Sequence, residues 1–346
     1  MKKLLLLMGL ILFVVVSPQT LSAAKLMTYH DMVLLYSGGY HRTHYWDVAH
    51  TKPYVTYVDE NGKEHWMFDA FLYLEIHTGR GKMFASGYTD RPTDQQDWKR
   101  LADHYLQADT CVGALDKTIE AAKQRLGKPE TKHKVVIGLP EPLKNQKNWG
   151  TASDGRKLDL AKDEDRIEAC RWYIDYVCKR FKEMNFKNVE LAGFYWIAEE
   201  ATNTRTIIYR VGEYLNKLDL SFNWIPWFRS DGFEEWKDLG FNYAYLQPNF
   251  FFNETVPYSR LNDACKLAKE FDLDMEMEFD ERVQTGFGYR LYDYMKAFKQ
   301  NGCWHTKRLA YYQGCLALYN LYVSDKKEDK DLYHTFCKFV VEHPVK

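Results

Sequence analysis

The chain has 346 residues, with 47 Lys and Arg against 48 Asp and Glu, for a formal charge of −1. That balance argues against nucleic acid and anionic membranes as main partners, because both demand concentrated positive charge. Aromatic residues make up 16% of the chain, enough for a large core, a sugar-stacking cleft, or both.

The N-terminus reads as a leader. "MKK" is basic, Leu4 to Val16 is apolar with one Gly, and "SPQTLSAAK" ends in small residues that suit cleavage after Ala24. The apolar run is 13 residues, too short to span a bilayer, so a cleaved secretory signal is expected over 1–24. The mature chain, 25–346, is expected to be one domain without a membrane span, exported to the periplasm or beyond. Loss of Lys2 and Lys3 takes its formal charge to −3. Seven cysteines remain, an odd number without a CxxC pair. Cys170 and Cys178 fall about 12 Å apart on a helix, too far to bridge, so buried free thiols are expected.

In chain order, "MVLLYSGGY" (32–40) and "FDAFLYLEI" (68–76) are the first two strand candidates, separated by a long insertion, 41–67. Helical stretches are expected over 95–107 and 110–126, and "KVVIGLPEP" (134–142) is a strand stopped by Pro140 and Pro142. A long helix, 163–184, carries Ile167, Cys170, Tyr173, Ile174, Val177 and Phe181 at helical spacing. "VELAGFYWIAEE" (189–200), "SFNWIPWFRSD" (221–231) and "FNYAYLQPNFFF" (241–252) follow as strands four to six, with helices over 204–218 and 232–238 between them. After a helix over 259–271 comes "LDMEMEFDER" (273–282), in which acidic residues occupy every second position. A period of two reads as a strand with one acidic and one apolar face. A helix over 290–300, an eighth strand over 307–314 and C-terminal helices complete the chain.

Strict alternation of strand and helix, eight times over, predicts an α/β fold of the (β/α)₈ TIM-barrel type. A doubly wound open sheet is the runner-up; its first turn would usually carry GxGxxG, and "SGGYHRTH" lacks it.

In such a barrel, chemistry sits at the C-terminal ends of the strands. There the sequence offers carboxylates, amides, Tyr and Trp, a mix suited to sugars, whose hydroxyls need hydrogen bonds and whose C–H faces stack on rings. Glycoside cleavage further needs two carboxyl groups. Glu278 is the candidate nucleophile or base, with Met275, Met277 and Phe279 packing outward and Glu276 deeper in the barrel. Asp280 is assigned to support. Glu199 and Glu200 compete for the general acid, with preference for Glu199. Tyr40, His41, His44, Tyr195, Trp196, Trp227, Gln247, Asn249, Glu276 and Tyr311 are the candidate substrate-binding residues. Of Trp224 and Trp227, one is as readily core as sugar platform. No cofactor and no metal are expected, since His41 and His44 lack a third ligand at matching spacing.

"YSGGY", "GFYWIAEE", "LQPNFFF" and "EMEFD", in this order, resemble a family of exported bacterial (β/α)₈ proteins found mainly in gut Bacteroidetes, the domain of unknown function 4855. The resemblance covers nearly the whole mature chain. Acids on strands four and seven are also similar to those of the large clan of retaining barrel glycosidases. That similarity implies Glu199 or Glu200 as acid/base and Glu278 as nucleophile. Strand four departs from the clan, carrying Ala198-Glu199-Glu200 where the clan has an Asn-Glu pair.

The expectation is an exported glycoside hydrolase acting on an oligo- or polysaccharide of plant or host origin. Its rivals are a catalytically silent carbohydrate-binding barrel and a metal-dependent hydrolase built on His41, His44 and the acidic strand.

Overall fold

The computed structural model describes residues 25–88 and 91–345, so the expected leader, 1–24, lies outside the described residues. The first strand, β1 (Asp31–Tyr36), leads through a short helix, α1 (Val48–Val55), into a two-stranded antiparallel hairpin, β2 (Thr56–Val58) with β3 (Glu64–Trp66). The chain then alternates as β4 (Ala70–Leu74), α2 (Gln95–Tyr105), α3 (Val112–Leu126), β5 (His133–Leu139), α4 (Asp163–Met184), β6 (Val189–Trp196), α5 (Arg205–Asn216), β7 (Ser221–Trp224) and β8 (Tyr243–Leu246). It finishes as α6 (Ser259–Glu270), β9 (Asp274–Glu278), α7 (Gly288–Gln300), α8 (Cys303–Thr306), β10 (Leu309–Tyr312), α9 (Ala317–Val323) and α10 (Lys327–Val341).

Eight of these strands close a barrel in the order β1-β10-β9-β8-β7-β6-β5-β4, and every pairing in it is parallel. Closure explains the burial of β4 and β5, buried along their whole lengths: helices cover the outside while side chains fill the inside. The helices have local reasons to start and stop. Asp94 caps α2 and forms a reciprocal box with Asp97, and Asn185 ends α4 in the left-handed region at φ 51°.

The strands stop earlier than the sequence predicts. The fifth, expected over 221–231, ends at Trp224, just before Pro226, whose missing N–H cannot continue a ladder. The surplus residues instead form the loops of the mouth. The insertion 41–67 carries α1 and the hairpin; Asp47 caps α1 by accepting from the His50 N–H, and Pro53 sits inside it. All seven cysteines are free, five of them buried.

Candidate active site

The acidic face of β9 turns into the barrel. Met275, Met277 and Phe279 are fully buried, and Phe279 meets Phe336 of α10 at 5.0 Å. The opposite face therefore carries Glu276 and Glu278 inward, in register with Ala310 and Tyr312 of β10. At the strand's start Asp274 accepts from the Arg308 backbone N–H at 2.9 Å. Just beyond its end Asp280 pairs with Arg282 at 2.8 Å and accepts from its backbone N–H. The four acids thus have separate tasks, and only the middle two face the interior of the mouth.

Glu278 is 1% exposed and well supplied with donors. Its Oε2 accepts from the Asn249 backbone N–H at 2.7 Å and from the Tyr294 hydroxyl at 2.5 Å. Burial nevertheless dominates, and the nearby Glu199 carboxyl repels its charge, so its pKa rises to about 7. No hydrogen bond to charge-stabilising donors among the described residues offsets the burial of the Glu276 carboxyl. Burial first, then the charges of Glu278 and Glu199, push its pKa far above the ordinary carboxylate range.

Glu199 sits three residues beyond β6. Burial raises its pKa to about 7, opposed by the neighbouring Gln247 amide. Gln247 in turn donates to the Ile225 carbonyl at 2.8 Å and accepts from the Asn249 side chain at 3.2 Å. Asn249 also donates its backbone N–H to Glu278. One hydrogen-bonded chain therefore runs Gln247–Asn249–Glu278–Tyr294, and its Gln247 end lies next to Glu199.

The loop "QPNFF" makes this frame possible. Asn249 takes φ 50°, a left-handed conformation that Asn tolerates better than most residues, and so aims its N–H at Glu278. Its side-chain oxygen accepts from the Phe228 N–H at 2.9 Å. From below, the buried Arg290 guanidinium donates to the carbonyls of Phe250, Asn253 and Val256, and lies 3.7 Å from the Phe250 ring centroid.

Glu200 has different charged neighbours. Glu199 interacts electrostatically with Tyr36, Tyr88, Tyr195 and Glu276, whereas Glu200 does so with Glu141, which follows β5. Both line a cavity of about 330 Å³, together with Tyr88, Asn203 and Trp227. Trp227 is 38% exposed there, while Trp224 is fully buried and stacks on Phe241 at 4.8 Å. Tyr195 belongs to the mouth, buried beside Glu199 and Glu276.

Several expected contacts lie elsewhere. Trp196 is fully buried, edge-on to Phe222 at 5.9 Å, because it has the opposite strand parity to Tyr195. Tyr311 is corrected in the same way: it is fully buried, packs on Phe336 and donates to Asp31 at 2.7 Å. The mouth residue on that strand is Tyr312, level with Glu278 and edge-on to Tyr36 at 5.7 Å. His44 packs edge-on against Trp46 at 5.3 Å, and burial lowers its pKa to about 4. His41 stacks on His77 at 4.4 Å. Tyr40 is half-exposed at the rim, with Arg80 at 3.4 Å and Arg100 at 4.6 Å from its ring centroid. The two histidines do not converge with the acidic strand, and the described residues hold no cluster of three or more His, Cys, Asp or Glu suited to a metal.

The sequence reading missed Tyr294 and Arg42. Arg42 forks onto the fully buried Glu75 through bonds of 2.7 and 2.8 Å, and also reaches the Cys315 sulfur at 2.8 Å. Tyr294 comes from the middle of α7, where no local pattern marks it. Tyr312 was within reach, since it follows from extending the parity of Glu276 and Glu278 to the neighbouring strand.

The class these features define is a closed parallel (β/α)₈ barrel with a buried carboxyl cluster at the C-terminal mouth. The chain belongs to the family of the domain of unknown function DUF4855, whose pattern matches residues 31–338. No curated protein matches its sequence. Among solved structures it is similar to a family 18 chitinase from Crocus vernus, with 13% identity, 88% of this chain and 99% of that one covered, and a TM-score of 0.45. It is also similar to a protein described as an α-L-fucosidase from Bacteroides thetaiotaomicron, with 14% identity, coverage of 94% and 99%, and a TM-score of 0.43. A tryptophan synthase α subunit from Legionella pneumophila gives 10% identity, coverage of 92% and 93%, and a TM-score of 0.40. Likenesses this distant carry no reaction with them. No helix among the described residues is long and apolar enough to cross a membrane.

Proposed function

We propose that this protein is an exported glycoside hydrolase that cleaves plant or host glycans with Glu278 as nucleophile and Glu199 as general acid/base. The observation that carries the proposal is the contrast between two carboxyls in one mouth, Glu278 buried and Glu199 partly exposed. Glu278 accepts a backbone N–H and a Tyr hydroxyl, which favour its ionised form. Glu199 has the weaker support of one amide, so its protonated form survives. Because the two repel each other, ionising one holds the proton on the other. That is the protonation pair that acid-assisted displacement at an anomeric carbon requires.

In the first step Glu199 gives its proton to the departing glycosidic oxygen while the Glu278 carboxylate bonds to the anomeric carbon. In the second, Glu199 takes a proton from water as that water attacks the anomeric carbon and releases Glu278. Glu276, kept protonated by its surroundings, is suited to donate to a sugar hydroxyl, and Trp227 and Tyr88 offer rings beside the cavity. Retention of configuration is favoured by the likeness of the two acid positions to those of the retaining barrels, and calls for carboxyls about 5–5.5 Å apart.

The test is a panel of aryl glycosides and oligosaccharides with the wild-type protein, Glu199→Gln and Glu278→Gln. The proposal expects hydrolysis by the wild type and its collapse in both variants. A wild type that binds oligosaccharides but hydrolyses none of the panel would leave the silent binding barrel in its place.

A further inference from the structure

We infer that a second sugar-binding position adjoins the candidate centre at Glu141, and that it takes a neutral glycosyl unit whose hydroxyl donates to the Glu141 carboxylate. Glu141 follows β5 and is 2% exposed. One of its oxygens, Oε2, accepts from the Ser86 backbone N–H at 2.7 Å. The other, Oε1, is buried and has no partner among the described residues. A buried carboxylate oxygen left without a donor is costly, and such groups are rare unless something outside the chain completes them.

The surroundings fit a ligand. Glu141 lines a cavity of about 420 Å³ with Met83, Ser86, Asn145, Gln146 and Asn203, a polar wall with an apolar floor. Ser86 and Asn203 also line the cavity that holds Glu199, Glu200 and Trp227, so the two spaces share a wall. Each falls in the size range of small-ligand sites. A chain of sugars with its scissile bond near Glu199 can therefore continue past Ser86 and Asn203 to Glu141. The class of unit follows from charge. Glu141 interacts with the buried Arg166 guanidinium and, less strongly, with the Glu200 carboxyl, while Lys144 also lines this wall. The Arg166 guanidinium already donates to the Pro142 and Asn203 carbonyls and to Asp163, so the group this wall leaves open is the Glu141 acceptor, which suits a neutral, hydroxyl-bearing ring better than a uronic acid.

The inference rests on the glycosidase proposal for which bond is cut, but not for binding itself. It is tested by calorimetry on Glu278→Gln protein, with cello-, xylo-, manno- and chito-oligosaccharides from disaccharide to hexasaccharide and an oligogalacturonate series as the acidic counterpart. Affinity for a neutral series is expected to step upward with length. Adding Glu141→Gln, which keeps an oxygen for Ser86 but turns the free acceptor into a donor, is expected to remove the step and weaken binding roughly tenfold. Asn203→Ala, at the shared wall, is expected to shrink the same step and serves if the Glu141 variant does not fold. Absence of binding by every neutral series, preference for the acidic series, or a length step indifferent to both variants overturns the inference. If the step is present and Glu141-dependent while wild-type protein hydrolyses nothing, the second position stands and the hydrolase proposal falls.

Discussion

Tyr294→Phe isolates one atom of the proposed nucleophile's environment. The ring is fully buried between Phe250 and Phe298, with centroids at 5.6 and 5.7 Å, so Phe keeps the packing. What is lost is the 2.5 Å hydrogen bond from the hydroxyl to Glu278 Oε2. Bonds to a charged partner contribute about 1.5–3 kcal/mol. They act on the ionised form, and one pKa unit corresponds to ~1.4 kcal/mol, so the Glu278 pKa should climb by about 1–2 units. It starts at about 7. At pH 7 the ionised fraction should therefore drop from about one half to between ~1 and ~9%, a loss of roughly 5- to 50-fold in kcat/KM. The assay is the pH profile of kcat/KM on an aryl glycoside. The acid limb should move upward, the bell should narrow and its maximum should fall. A variant that loses activity with its acid limb unmoved would refute the reasoning, because the hydroxyl would then be acting on something other than the Glu278 charge.

Glu276→Gln should flatten the pH dependence of stability. Burial makes Glu276 hold its proton far above the ordinary carboxylate range near pH 4.5, so folding gains from it fully below that pH and loses the gain as pH rises through the elevated folded value. Urea unfolding at pH 5 and pH 8 should show the variant losing less than the wild type by ~1 kcal/mol or more; equal losses would contradict the assignment. Arg42→Ala should destabilise by about 3 kcal/mol, because it leaves the fully buried Glu75 carboxylate without its counter-charge and with only the Gly39 and Ile76 backbone N–H donors. Arg42→Lys should recover only part of that loss in the same unfolding assay, since an ammonium cannot fork. Trp227→Ala should weaken oligosaccharide binding about tenfold, as covering about 55 Å² of ring face at ~25 cal/mol per Å² yields ~1.4 kcal/mol. Because Trp227 is 38% exposed, its melting temperature should scarcely change, and calorimetry beside a thermal melt separates the two effects.

The barrel is legible in the sequence because its strands and helices differ in period. "LDMEMEFDER" alternates cleanly, and both its outward Met275, Met277 and Phe279 and its inward Glu276 and Glu278 follow from that alternation. "GFYWIAEE" and "LAYY" do not alternate, since a strand buried on both faces is apolar at every position. That is why alternation alone separates neither Trp196 from Tyr195 nor Tyr311 from Tyr312. The support of Glu278 was illegible for a different reason. Tyr294 and Arg290 reach the mouth loop from α7 across 16 and 40 residues of sequence, respectively, for their contacts with Glu278 and Phe250. Nor does composition reveal the left-handed turn at Asn249 that aims its N–H at Glu278. The hairpin over 56–66 escaped notice because its strands are three residues each, too short to display a period.

The most direct test of the central claim is azide rescue on an aryl glycoside that the wild type hydrolyses, with Glu278→Gly and Glu199→Gly compared side by side. Glu199→Gly should lose about 10²–10⁴-fold on poor leaving groups, and Glu278→Gly at least as much. Added azide should restore turnover in both, giving glycosyl azides of opposite anomeric configuration: inverted where azide replaces the nucleophile, retained where it intercepts the glycosyl-enzyme. Hydrolysis at the wild-type rate in either variant without azide would contradict the assignment of Glu278 and Glu199 as the reacting pair.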